Sequence, residues 1–100
     1  MRSAVDKSTI ARWRAIDASD VLLSIAEHAM RDQTFEPSKD KRTQRWHVIA
    51  NKREFTLLTT GPKFWDEQAR TGGGGALDLA CHLTNCNFVS AIRLLKSKHL

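Results

Sequence analysis

Residues 70–83 read RTGGGGALDLACHL, and the four consecutive glycines in them, Gly72 to Gly75, constrain this chain more than any other stretch. Only one other glycine, Gly61, occurs in the 100 residues. Four successive positions have no side chain to bury and permit positive φ and close backbone approach. An apolar stretch of helical character, Ala76 to Thr84, follows at once. The chain is therefore expected to leave a strand here, turn sharply, and start a helix packed on a sheet.

The same residues suit a second use, because a glycine-rich loop entering a helix can offer backbone N–H groups to a phosphate. A P-loop, however, needs Lys and then Ser or Thr at the helix start, and a dinucleotide site needs the glycines to follow the first parallel strand of a βαβ unit. Neither condition is met. Asp78, about three residues into the helix, supplies an anion of its own and repels an incoming one. The glycines read as a turn, and Asp78 as a cap.

Elsewhere the periodicities alternate between helix and strand. Ile10, Trp13 and Ile16 suit a short helix, and Asp17 or Ser19 caps a longer one, SDVLLSIAEHAMRDQ, with Val21, Leu22, Ile25, Ala26, Ala29 and Met30 on its apolar face. Residues 34–45 lose that pattern and read as a loop of about a dozen residues, long for so small a domain. RWHVIA and EFTLLTT alternate as a β-hairpin about the turn NKR, with Trp46 pointing into the core, and KFWDE after Gly61-Pro62 adds a third strand with Phe64 and Trp65 on opposite faces. After a break at NCN, Phe88, Ala91, Ile92 and Leu95 define the last helix. The expectation is one α+β domain over 1–100. It has a short helix or arm over 1–16, and a core over 17–100 in which helices flank a small antiparallel sheet of three strands or slightly more.

A chain of this length builds one modest core and is too short for a polymerase or helicase. It contains no apolar run of about 18 residues, and MRSAVDKSTIARW lacks the apolar segment of a secretory signal. A cytoplasmic location without membrane contact is expected, with Cys81 and Cys86 reduced and packed as small hydrophobes. The net charge is +5, and residues 39–53 alone carry it: Lys39, Lys41, Arg42, Arg45, Lys52 and Arg53 stand against the single acid Asp40. Trp46 and His47 are interleaved among these cations, a composition suited to nucleic acid.

Metal and catalytic chemistry find little support. CHLTNC holds two cysteines and a histidine, but Cys81 and His82 are adjacent on a helix and diverge by about 100°, so the paired spacing of structural zinc is missing. His28, placed on a helix surface, His47 in a strand and His99 at the terminus form no nucleophile-base set. Asp66 and Glu67 are neighbours that face opposite ways. No cofactor, metal or enzymatic activity is expected.

GGGGALDLACHLTNCNFVSAIRLL resembles the end of the primase-type zinc-binding domain of plasmid, phage and mobile-element primases and TOPRIM-containing proteins. Gly72 to Gly75, Leu77, Asp78, Leu79, Phe88, Ala91, Ile92 and Leu95 match its pattern. Upstream, IDASDVLLSIAEHAM is similar to its first helix, and RWHVIANKREFTLLTTGPKFWDE to its sheet. The family's zinc ligands would fall near Arg45 to His47 and Trp65 to Gly73, where aromatics, charges and glycines stand instead, so the resemblance implies a zinc-ribbon-like fold without zinc. It further implies binding of DNA, especially single-stranded DNA, in replication or transfer of a mobile element, with a primase, helicase or other replication protein as partner. Lys41, Arg42, Arg45, Lys52, Arg53, Lys63 and Arg70 would meet phosphates, while Trp65, with His47 or Phe55, would stack on bases. The alternatives are a protein-interaction or inhibitor module on the same fold and a nucleotide-binding enzyme fragment.

Overall fold

The computed structural model describes residues 6–100. Of the expected N-terminal arm, residues 1–5 lie outside them. Helix α1 (Lys7–Ala15) starts where the Asp6 carboxylate accepts from the Thr9 N–H at 2.9 Å, and α2 (Ala18–Ile25) follows directly. Five strands come next: β1 (His28–Arg31), β2 (Gln44–Ala50), β3 (Arg53–Thr60), β4 (Lys63–Asp66) and β5 (Thr71–Gly74). Helices α3 (Ala76–Thr84) and α4 (Phe88–Ser97) complete the chain, α4 being capped by the Asn87 side chain accepting from the Ser90 N–H at 2.9 Å. The strands form one antiparallel meander in the order β1-β2-β3-β4-β5, so the α+β class holds and the sheet has five strands.

Both extra strands replace expected features. The helix expected through Gln33 stops at Ile25, because from Glu27 the backbone pairs with β2: the Glu27 N–H donates to the Ile49 carbonyl at 2.8 Å, and His28 to Arg31 match Ile49 to Trp46. AEHAMR has good helix formers, but its alternation of Ala29 with His28 and Met30 serves a strand equally well, and an available strand edge outweighs a weak propensity. His28 therefore stands in a strand. The glycine run is likewise an edge strand for most of its length, Gly72, Gly73 and Gly74 pairing with Trp65, Phe64 and Lys63. The sharp turn is confined to Gly75, at φ +92°.

The turn between β2 and β3 consists of Asn51 and Lys52, both at positive φ, the two-residue geometry that matches strand twist. Trp46, Val48, Ala50, Phe55, Leu57 and Phe64 point to one face of the sheet and are buried there. Trp13, Val21 and Leu22 of the first two helices, Leu79 and Leu83 of α3, and Ile92 and Leu95 of α4 meet them in a single core. Among the described residues the opposite face carries no helix.

Asp66 joins the sheet to the helix layer. Its carboxylate, 3% exposed, accepts from the Gln68 and Ala69 N–H groups at 3.0 and 2.9 Å, which shapes the turn into β5. Its other oxygen accepts from His82 Nε2 on α3 at 2.7 Å, and the His82 ring sits between Phe55 and Phe64. Burial pushes this carboxyl upward, but the hydrogen bonds from Ala69, His82 and Gln68 outweigh it and hold the group below the usual carboxylate range. Asp78 does not cap α3 as expected: its carboxylate reaches back past Gly75 to accept from the Gly74 N–H of β5 at 3.1 Å, so it ties the helix start to the edge strand, and among the described residues no side chain caps the first turn. Cys81 and Cys86 are half-buried against the core, and burial, then the neighbouring Cys86, pushes the Cys81 thiol upward.

Candidate nucleic-acid interface

The helix-free face of the sheet is lined by the residues that alternate with the core. Met30 stands on β1, Arg45, His47 and Ile49 on β2, Thr56, Leu58 and Thr60 on β3, and Lys63 and Trp65 on β4. Arg45, Leu58, Trp65 and Gly72 are direct cross-strand partners and form one row across four strands. Trp65 is 45% exposed, whereas the other two tryptophans, Trp13 and Trp46, are buried. Its ring extends over β5: a Cβ on Gly72 would lie 2.9 Å from Trp65 Cε3. The edge glycine makes room for the indole, which in turn covers a residue without a side chain.

The loop 32–43 is fastened to this face. The Arg45 guanidinium lies 4.8 Å from the centre of the Phe35 ring, pairs with Glu67 at 3.0 Å, and approaches Asp32 at 3.7 Å. His47 Nε2 is 3.4 Å from the same Asp32 carboxylate. Hydrogen bonds from the Thr34 hydroxyl and N–H, reinforced by His47, hold Asp32 below the usual carboxylate range. At the far end of the loop, the Thr43 and Thr60 hydroxyls are 2.7 Å apart. A groove of about 430 Å³ is left between loop and sheet, lined by Phe35, Pro37, Lys39, Leu58, Lys63 and Trp65 among others.

These contacts separate the expected phosphate-binding cations into two groups. Arg42 is tied to Asp40 at 3.0 Å, and Arg45 to Glu67. Arg53 turns to the helix layer, donating to the His82 and Leu83 carbonyls at the end of α3 and lying 5.0 Å from the Phe55 ring. Phe55 is buried there, which removes it as a stacking surface. Lys41 in the loop, Lys52 at the hairpin tip, Lys63 on the open face and Arg70 in the β4–β5 turn are exposed, and among the described residues their side chains have no polar partner. Lys39 belongs with them.

Comparison with family models, with curated proteins and with solved structures finds no match. His47 faces Asp32, and among the described residues no three His, Cys, Asp or Glu side chains converge.

Sequence reasoning missed Phe35 and Leu58 as parts of this surface, and Asp32 and Glu67 as anchors. The one legible signal was an aromatic and a proline, Phe35 and Pro37, inside an otherwise polar loop. The role of Arg45 can be checked directly. Arg45→Gln is expected to free the loop, seen as several-fold faster tryptic cleavage after Lys39, Lys41 or Arg42, with a melting temperature close to that of the parent.

Proposed function

We propose that this chain is a DNA-binding module that holds single-stranded DNA across the open face of its sheet. It contributes no catalytic step of its own. The observation that carries the reading is an exposed Trp65 on a helix-free sheet face, beside Lys63 and Lys39, whose side chains have no polar partner among the described residues. Stacking on an aromatic ring together with backbone neutralisation by cations is how sequence-tolerant single-strand binding is built. The primase-type resemblance supports the same surface and gives the setting: replication or transfer of a plasmid, phage or other mobile element, in the cytoplasm, alongside a primase or helicase. On this reading the fold is a zinc-free counterpart of that zinc-ribbon-like module.

Titration of a labelled single-stranded oligonucleotide at about 50 mM and 200 mM salt tests the proposal, because affinity is expected to fall steeply between the two. No binding at the lower salt removes it. Lys41→Gln and Lys63→Gln are each expected to flatten the plot of log affinity against log salt by roughly 0.7, the value for one phosphate on a single strand. Phe88 and Val89 of α4, 56% and 57% exposed on the helix layer, favour a second reading in which the module docks on another replication protein. Retention of that partner by the lysine variants would single it out.

A further inference from the structure

The groove between the loop 32–43 and strands β3 and β4 has a shape and charge of its own. Its volume of about 430 Å³ falls within the range of roughly 300 to 1,000 Å³ typical of clefts for small ligands. Leu58 and Trp65, cross-strand partners, line the sheet side, and Phe35 and Pro37 line the loop side. Arg45 braces Phe35, and the Thr43–Thr60 contact fixes the end of the loop, so the walls are held before anything enters. Among the lining residues the only acid is Asp40, and Arg42 donates to both of its oxygens, at 3.3 and 3.0 Å. Lys39 and Lys63 line the same groove without polar partners among the described residues. An apolar slot with an exposed indole and two unneutralised ammonium groups complements a flat apolar body joined to an anion.

We infer that this groove is a subsite for one nucleotide of the bound single-stranded DNA. The base stacks on Trp65 beneath Phe35, and its flanking phosphate meets Lys39 and Lys63. The inference rests on the proposed function and adds that the loop clamps a particular nucleotide, where a bare sheet face would treat every nucleotide alike.

Trp65 is the one exposed tryptophan, so quenching of intrinsic fluorescence reports occupancy of the groove in the parent and in Phe35→Ser, while a label on the oligonucleotide reports binding by the Trp65 variants. The probe is an oligothymidylate of about ten nucleotides, the scale of a small binding fold. Trp65→Leu keeps apolar cover over Gly72 but loses the stack, and is expected to weaken binding by roughly 5- to 150-fold. Trp65→Phe should retain most of the affinity. Phe35→Ser should weaken binding in the same direction. A single abasic site moved along the oligonucleotide should show one position where the missing base matters most. If the parent protein binds with the expected salt dependence while the Leu and Ser variants match it and the abasic profile is flat, the subsite is overturned and the proposed function stands. If the parent fails to bind at low salt, both fall. Competition by a glutamate-rich peptide as effective as that by oligothymidylate would also overturn base recognition.

Discussion

Asp66→Ala is expected to lower stability by about 3 kcal/mol or more, the cost of leaving the donors that share this buried acceptor unsatisfied. For a domain of this size that is a fall of more than about ten degrees in melting temperature. The substitution removes the acceptor for the Gln68 and Ala69 N–H groups and leaves His82 without its carboxylate between two phenylalanine rings. The turn into β5 and the contact of the sheet with α3 are lost together. Asp66→Asn, whose amide oxygen can still accept from the two turn N–H groups, should cost distinctly less. Thermal melts of the two variants beside the parent make the comparison.

The same carboxylate gives the parent a signed pH dependence. Its folded-state value lies below that of the unfolded chain, about 3.9, so its contribution is complete at neutral pH. It is lost as the pH falls below that value and through the folded one. Asp6, Asp32 and Asp40 shift in the same direction. Stability should therefore decline as the pH falls below about 4. The decline should be shallower in Asp66→Asn, which has no carboxyl at that position to protonate.

Gly72→Ala carries the second large effect, because it acts on the fold and on the DNA surface at once. The new Cβ would stand 2.5 Å from the Phe64 carbonyl oxygen and 2.9 Å from Trp65 Cε3, and the first of these is backbone that cannot swing away. Strands β4 and β5 must separate and the indole must leave its position, at a cost of about 1 to 3 kcal/mol for an overfilled site. Gly74→Ala is the natural control. Its Cβ meets only Lys63 Cγ at 3.8 Å, an ordinary contact, and should leave both the melting temperature and oligonucleotide binding nearly unchanged. Equal melting temperatures for the two variants would show that glycine is needed at 72 for no steric reason. Gly73 is restricted differently, since a side chain there would run into the Asp78 carboxylate that accepts from the Gly74 N–H.

The central hairpin was legible because its signals are local. Alternation of Trp46, Val48 and Ala50 with His47 and Ile49, the turn at Asn51 and Lys52, and the opposed faces of Phe64 and Trp65 are settled within a few residues of chain. The last helix, read from the spacing of Phe88, Ala91, Ile92 and Leu95, is local in the same sense. The two edge strands were not legible. AEHAMR satisfies a helix and a strand equally, and TGGG satisfies neither, so in both cases the free edge of an existing sheet made the choice. The candidate site divides in the same way. Charge density in 39–53 was visible as composition, but which cations remain free depended on where Asp40, Glu67 and the carbonyls of α3 came to lie.

The sequence by itself determined the class of fold, the buried faces of the central strands and the basic character of the chain, because each follows from periodicity or from composition. Only the tertiary structure decided that the glycines form an edge strand beneath Trp65, that Asp66 and His82 lock the sheet to α3, and that Phe35 closes a groove over Leu58. Asp66 and His82 are 16 positions apart, and Arg53 and Leu83 are 30 apart. Separations of that size carry no periodic signal. They become fixed only when burial of the common core brings the segments together.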